Sequence, residues 1–545
     1  MIYEGLSRNT MPEQVAVRPD QVVDATPLAA GTLYLIFIQV ASRALTFVGN
    51  QFLLRYLSPS LLGIAVQLEL LSTTVLYSAR ESLRVALQRQ SAKPHAVQNG
   101  RQQERAGKSS AGQSVVNLSY LVVALGGLLL CALGSAYLVW PDPEVTESPY
   151  FGTVFRIYAV ATFVELLSEP SFVIIQQYGL FGARARAETS AAIMRCFAAC
   201  ITAVSMHGRR LQGSVLPFAI GQLAYSSTLL LVYLSTTYPL SNKKEFSLLP
   251  RTIYPTTAYA FALFDKSVLS ITTPFYLQSI FKYFLTQGDT LILSFLSTLA
   301  DQGAFSLASN YGGLLARLVF QPIEESSRNA FGRLTASSME PKSRAQALRQ
   351  LSTTLHFYLL MALPLFAVAP YVLPVAVSLL IGTKWQSSST SSLLSAYCYY
   401  IPFMAVNGIL DAFVTSVATP AQLGKQSVYM AAFTGAFGLA AWYMLKKTGL
   451  GAAGLVIANV VNMALRIVWS ISFINQWTRK HERIGPDQGG QLWKDSIPAL
   501  ANMVVATGVW VGLRAIGLGK DDIAALDAQK LGYVIAGIVV LGSTM

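Results

Sequence analysis

The chain has 545 residues, 53% of them hydrophobic and only 12% charged. That is about half the roughly 25% charge of soluble domains, so most of its surface faces something other than water. The net charge of +13 is scattered between apolar runs, with no folded polar domain to carry it, which excludes a nucleic-acid-binding domain.

Residues 1–26 are polar and precede no cleavable signal pattern, so the first apolar run serves as the membrane address. The apolar residues then gather into runs of about 20, long enough at 1.5 Å per residue to cross a bilayer. The runs are continuous rather than alternating, which excludes a transmembrane β-barrel. Each span must satisfy its own backbone hydrogen bonds, so an all-α polytopic membrane protein is predicted. About fourteen transmembrane helices are expected. They centre near Gln39, Leu71, Leu125, Phe163, Ala198, Leu229, Leu285, Gly312, Leu365, Ala405, Phe437, Val461, Val505 and Ile538. The last run is short for a span, which predicts a natural chain continuing past Met545.

Lys and Arg are retained on the cytoplasmic side. With the N-terminus cytoplasmic, the segments before the first span and after each even span hold about 23 of them, and the opposite set about 8. The basic segments are Arg89–Lys108, Arg184–Arg186, Lys243–Arg251, Arg333–Arg349 and Arg479–Arg483. The opposite loop Pro141–Pro149 is acidic, and His207–Arg210 is an exception to the rule. Asn117–Ser119 is a formal glycosylation sequon at a cytoplasmic mouth, so it is expected to be unused.

Other motifs are weak. Gly107–Ser109 reads GKS, but position 102 is Gln102 where a P-loop needs glycine, and no strand precedes it. Cys131, Cys196, Cys200 and Cys398 fall inside spans and read as buried, unpaired thiols. No metal-ligand grouping or catalytic triad is visible; no cofactor and no enzymatic chemistry is expected.

One charged phrase occurs twice. ESLRVALQR runs from Glu81 to Arg89 and ESSRNAFGR from Glu325 to Arg333, each ending a long apolar run. FLLRYLS (Phe52–Ser58) and LILSFLS (Leu291–Ser297) are each followed within six residues by a glycine, Gly63 or Gly303. Glu165–Glu169 of the fourth span match Asn407–Asp411 of the tenth, two polar residues four apart on one helix face. Spans 1–6 therefore resemble spans 7–12, and an even number of helices per unit makes the repeats parallel. The expected layout is two parallel six-helix bundles around a central cavity, plus two extra C-terminal helices. Its parts are a cytoplasmic segment (1–26), a first bundle (27–239), a basic linker (240–270), a second bundle (271–476), a cytoplasmic loop (477–495) and helices 13–14 (496–545).

The phrase at each helix end has two readings. Snorkelling end-charges would fix helix depth. Glu–Arg pairs would line a wet cavity or lock the two halves together. Deeper charges point more strongly to a pathway, because a central Arg, Lys or Asp costs about 2.5–3.5 kcal/mol on insertion scales. Arg43 lies in the first span; Lys282 and Asp289 lie in the seventh; Arg317 lies four residues before Gln321 in the eighth. Arg317 pairing with Glu324 or Glu325 is the alternative for that residue. Arg195 and Arg466, in spans five and twelve, stay open between pathway and structure. An excess of cations suits an anionic substrate, because guanidinium binds phosphate in a bidentate manner. Arg43, Arg80, Arg84, Lys282, Arg317 and Gln321 are the expected substrate contacts. Glu81, Glu165, Glu169, Glu324, Glu325, Arg328 and Asp411 are the expected gate or ion-pair residues.

SARESLR (Ser78–Arg84), ELLSEPSFVIIQ (Glu165–Gln176), DQGAFSLASNYGGL (Asp301–Leu314) and LARLVFQPIEES (Leu315–Ser326) closely resemble the eukaryotic Rft family. The resemblance covers most of spans 1–12 and is weakest in residues 1–26, in Gln88–Gln113 and beyond Gly485. Arg80, Glu81, Arg84, Glu169, Arg317, Gln321, Glu324 and Glu325 match its pattern. That family belongs with the multidrug/oligosaccharidyl-lipid/polysaccharide exporters, two six-helix bundles around a V-shaped cavity. The resemblance implies movement of dolichol-pyrophosphate-linked oligomannose across the endoplasmic-reticulum membrane for N-glycosylation, with membrane lipids and the glycosylation machinery as neighbours. The alternatives are a non-transporting factor that binds the glycolipid or scaffolds that machinery, and a cation-coupled drug exporter using Glu165, Glu169 and Asp411.

Overall fold

The computed structural model describes residues 47–91, 101–139, 143–207, 213–244, 246–253, 259–261, 263–336, 341–385, 388–481, 488–516 and 528–544. Every predicted span centre except Gln39, which lies outside these residues, falls within a helix. After a helical segment over 47–54, the helices of the first half are α1 (Pro59–Ser91), α2 (Arg101–Val139), α3 (Phe151–Leu167), α4 (Glu169–Gln177), α5 (Phe181–His207) and α6 (Leu216–Lys244). Those of the second are α7 (Lys266–Leu296), α8 (Leu299–Leu315), α9 (Gln321–Ala336), α10 (Pro341–Ala367), α11 (Ala369–Ile381), α12 (Ser388–Val417), α13 (Pro420–Lys447) and α14 (Gly451–His481). A short α15 (Gln488–Ser496) leads to α16 (Leu500–Ala515) and α17 (Ala528–Thr544). Among the described residues, 9 helices are long and apolar enough to cross a membrane, and three shorter apolar helices accompany them. Among the described residues, the strand structure is a two-residue hairpin in the linker, Tyr259–Ala260 against Phe264–Asp265.

Local chemistry sets the helix ends. Thr298 caps α8 by accepting from the Asp301 amide. Thr419 and Gln422 form a capping box on α13, with Pro420 at the first helical position. Prolines mark the breaks. Pro170 lacks the N–H that would continue α3, so the chain tightens at Ser168, whose amide donates to the Glu165 carbonyl, and α4 starts afresh. Pro322 does the same to the eighth span. A π-helical turn, Ala316–Phe320, separates α8 from α9, and the Phe320 carbonyl accepts from the Tyr358 hydroxyl (3.4 Å).

Helices of each half pack mostly on one another: α5 on α6 and α3 on α6 in the first, α12 on α14 and α13 on α14 in the second. The bridge between halves is α1, which packs along both α7 and α8. The largest apolar core is in the second half, around Phe331, Trp385, Phe413 and Ile474. The last two helices pack on each other and on α10. Between α10, α12 and α16 opens an apolar cleft of ≈ 330 Å³, where Phe366 stacks on Tyr399 and Trp510 Nε1 donates to the Tyr399 hydroxyl (3.4 Å).

Candidate functional site

α1 is 33 residues long, about 50 Å, so its last turns project beyond a 30 Å hydrocarbon layer. Arg80 and Arg84 lie one turn apart on its face toward α3 and α4. Arg84 meets Glu169 in a two-pronged fork, Nε to Oε1 and Nη2 to Oε2, both 2.7 Å. Arg80 Nη1 donates to Glu165 Oε1 (2.9 Å), and its Nη2 donates to the Glu165 carbonyl oxygen (2.5 Å). At the helix break before Pro170 that same carbonyl also accepts from the Ser168 amide (3.2 Å) and the Ser168 hydroxyl (2.7 Å). Arg80 Nε also lies 3.0 Å from Glu169 Oε2, a charge contact without hydrogen-bond alignment. Gln222 Nε2 donates to Glu165 Oε2 (3.3 Å) from α6. Two guanidinium groups thus neutralise two carboxylates in a buried tetrad, with Glu169 at 0% exposure. The Arg84 side chain keeps 26% exposure, and its guanidinium lies 3.8 Å above the Phe172 ring, with Arg184 5.1 Å from the same ring.

The second half repeats the placement with different partners. Glu324 of α9 packs so closely on α12 that a Cβ on Gly408 would overlap its carboxylate. Asp411 Oδ1 accepts from Gln426 Nε2 (2.8 Å), and Ser416 Oγ donates to the Arg328 carbonyl (3.2 Å). Phe331 stands edge-on to Phe413 in the same contact, ring centroids 5.1 Å apart. α12 thus meets α9 through Gly408, Phe413 and Ser416. Among the described residues, however, no ion pair joins Glu324, Arg328 and Asp411. Sequence spacing matched the two faces; it did not show that the first is an ion-pair lattice and the second is not.

The structure brings together Arg80, Arg84, Glu165 and Glu169, and separately Glu324, Arg328 and Asp411. Glu81 is half-buried on α1, and Glu325, Arg328 and Gln321 are exposed on α9. Arg317 stands in the π-helical turn and Lys282 in the middle of α7; their side chains, and the whole of Arg43, lie outside the described residues. Arg195 pairs with Glu69 of α1 (3.1 Å), which gives it a structural partner. Of the cysteines, Cys398 is buried, Cys196 and Cys200 are partly so, and Cys131 is exposed, which corrects the expectation of four buried thiols.

One polar group escaped the sequence reading. Gln113 accepts from the Ser247 amide (2.8 Å) and donates to the Leu249 carbonyl (3.0 Å). Asn117 accepts from the Arg251 amide (3.0 Å) and donates to the carbonyls of Arg251 (2.7 Å) and Leu263 (3.0 Å). Tyr120 donates to the Leu248 carbonyl (3.1 Å). The i, i+4, i+7 face of α2 therefore clasps the linker's backbone, and the sequon asparagine is committed to it.

The halves also touch where α1 and α8 begin. The Tyr311 hydroxyl donates to Gln51 (2.6 Å), Trp385 Nε1 to the Leu54 carbonyl (3.2 Å) and Arg55 Nε to the Leu380 carbonyl (2.7 Å). Midway along, Thr74 and Tyr283 hydroxyls bond at 2.5 Å.

The fold is shared with solved membrane proteins. Lipid II flippase MurJ in an inward closed conformation matches with a TM-score of 0.57 over 93% of this chain and 97% of that one, at 12% identity. An inward-facing multidrug resistance MATE family transporter of the MOP superfamily matches with a TM-score of 0.52 over 80% and 95%, also at 12% identity. Among relatives by sequence, the Man(5)GlcNAc(2)-PP-dolichol translocation protein RFT1 of Yarrowia lipolytica is 34% identical, covering 92% of this chain and 77% of its own length. Proteins of the same name from Saccharomyces cerevisiae (32% identity, 86% and 85% coverage) and Xenopus tropicalis (28%, 96% and 95%) also align. The family model for the Rft protein matches residues 28–542. With that match spanning nearly the whole sequence, this chain belongs to the Rft family.

Proposed function

We propose that this chain moves dolichol-pyrophosphate-linked Man5GlcNAc2 from the cytosolic to the lumenal leaflet of the endoplasmic-reticulum membrane for protein N-glycosylation. It does so by alternating access, without covalent chemistry, and with its N-terminus in the cytoplasm. The observation that carries this reading is the family match across residues 28–542, to relatives named for that translocation. The physics of the cargo supports it. The pyrophosphate and glycan cannot cross hydrocarbon unaided, whereas the polyprenyl tail can stay in lipid. A cleft between the bundles 27–239 and 271–476, joined by the linker 240–270, would supply the missing polar surroundings; 477–495 and the helices in 496–545 flank it.

In this scheme Arg43, Lys282, Arg317 and Gln321 meet the pyrophosphate and first sugars. Arg80 and Arg84 form the wall of the first half. Arg84 is the more exposed of the two, so a phosphate oxygen can compete with Glu169 for its guanidinium. Glu165 and Glu169 brace the cytosolic end of the first half through Arg80 and Arg84, and Glu81, Glu324, Glu325, Arg328 and Asp411 serve as gate residues at the cytosolic ends. Depletion tests the reading. Microsomes stripped of the protein should retain Man5GlcNAc2-pyrophosphate lipid on the cytosolic leaflet, and restoring the chain should release it. Depleted microsomes that translocate the lipid at the parent rate would leave only an accessory role.

A further inference from the structure

The contact between the beginnings of α1 and α8 is reciprocal in detail. Gly63 is the fifth residue of α1, and Gly303 is the fifth of α8. A Cβ on Gly63 would overlap the carbonyl oxygen of Leu299, the first residue of α8. A Cβ on Gly303 would overlap the carbonyl oxygen of Pro59, the first residue of α1. Each glycine receives the other helix's opening carbonyl, as at an interface between two copies related by a two-fold axis. The helices cross backbone on backbone, and no side-chain rotation could relieve an added methyl group.

Three observations mark this crossing as the seam between the two halves. It is ringed by bonds that run from one half to the other: Gln51 with Tyr311, Leu54 with Trp385, Arg55 with Leu380. Behind it lies a cavity of ≈ 70 Å³ lined by Val66 of α1 and by Thr290, Gln302, Ser306 and Ser309 of the other half, and Gln302 Oε1 is buried there without a hydrogen-bond partner. Residues of both halves thus line one space at this seam. Finally, α9, which continues the eighth span toward the opposite end, packs chiefly on α10 and α12 of its own half rather than on α1. The two spans meet at one end and part at the other.

We propose that the reciprocal Gly63–Gly303 crossing is the closed gate on the side opposite the basic loops, and that the two glycines set how firmly it shuts. The inference rests on the transport reading above. Alanine is the better helix former, so its effect at these sites would not come from helix propensity. It would penalise the closed crossing alone, because the overlapped carbonyl moves away once the helices part.

The test measures two distances in the full chain with its four native cysteines replaced, held in lipid nanodiscs and spin-labelled in pairs. Glu144→Cys with Lys384→Cys reports the glycine end, where Val145 packs near Leu299 and Trp385 bonds to Leu54. Arg186→Cys with Lys425→Cys reports the opposite end. Gly63→Ala and Gly303→Ala should each shift the larger part of the population to longer distances at the glycine end and shorter ones opposite. Gly313→Ala, on the same α8 but with no atom within 4 Å of the added methyl, should match the parent. Unchanged distances with a lowered unfolding temperature would mean a fixed joint and overturn the proposal. Should an alanine variant fail to fold, the parent pairs decide, measured with and without a short-chain dolichol-pyrophosphate glycan. A single unvarying distance at the glycine end then overturns the gate, and a second, longer population supports it. Translocation in vesicles separates the two readings: a moving gate without transport keeps the gate and sinks the transporter, and transport across an unmoving crossing does the reverse.

Discussion

At the residue scale the decisive feature is the Arg80–Glu165, Arg84–Glu169 tetrad. Burying four charges is costly, and only their mutual bonds offset it. Removing one partner leaves the others uncompensated, so Glu169→Ala should lower stability by about 3–5 kcal/mol, read as the unfolding transition of the purified protein in detergent. Glu324→Gln breaks no ion pair among the described residues and should change stability by less than about 1 kcal/mol. Equal losses in the two variants would contradict the asymmetry between the halves. Arg84→Lys should behave nearer to Glu169→Ala than to the parent, because a lysine cannot reproduce the two-pronged fork or the contact with Phe172. The sequence announced that these four residues sit on helix faces. It could not say which helix each face meets, because partners 85 residues apart are joined by packing and not by spacing.

At the element scale, hydropathy located the spans, because apolar runs of membrane length have few alternatives. The breaks were harder to see. The turn at Ser168 and the π-helical turn at Ala316–Phe320 both follow from a proline two to six residues on, yet their use depends on a neighbour, Arg80 in one case and Tyr358 in the other. The clasp of α2 on the linker was invisible for the same reason: Gln113, Asn117 and Tyr120 read as ordinary mouth-of-helix polarity until the linker backbone lies against them. Asn117→Ala should remove bonds worth about 1 kcal/mol each and speed amide exchange across 246–253, measured by mass spectrometry. Parent-like exchange would mean that the clasp does not hold the linker. Asn117 itself should carry no glycan, and glycosidase treatment should leave its peptide mass unchanged.

At the scale of the whole molecule, the repeated phrase and the repeated glycine spacing foretold a duplicated architecture, and the shared fold with MurJ and a MATE transporter agrees with it. The cationic residues expected along the pathway should matter together. Lys282→Ala or Arg317→Ala removes a charge-assisted contact of about 1.5–3 kcal/mol, so each should slow translocation about tenfold or more if its partner is the pyrophosphate, and leave the unfolding temperature nearly unchanged. The most direct measurement is translocation of a fluorescent dolichol-pyrophosphate glycan by the purified chain in sealed vesicles. Protein-containing vesicles should move the lipid to the far leaflet faster than empty ones, and Lys282→Ala should suppress the difference. Equal rates in protein-containing and empty vesicles would contradict transport by this chain.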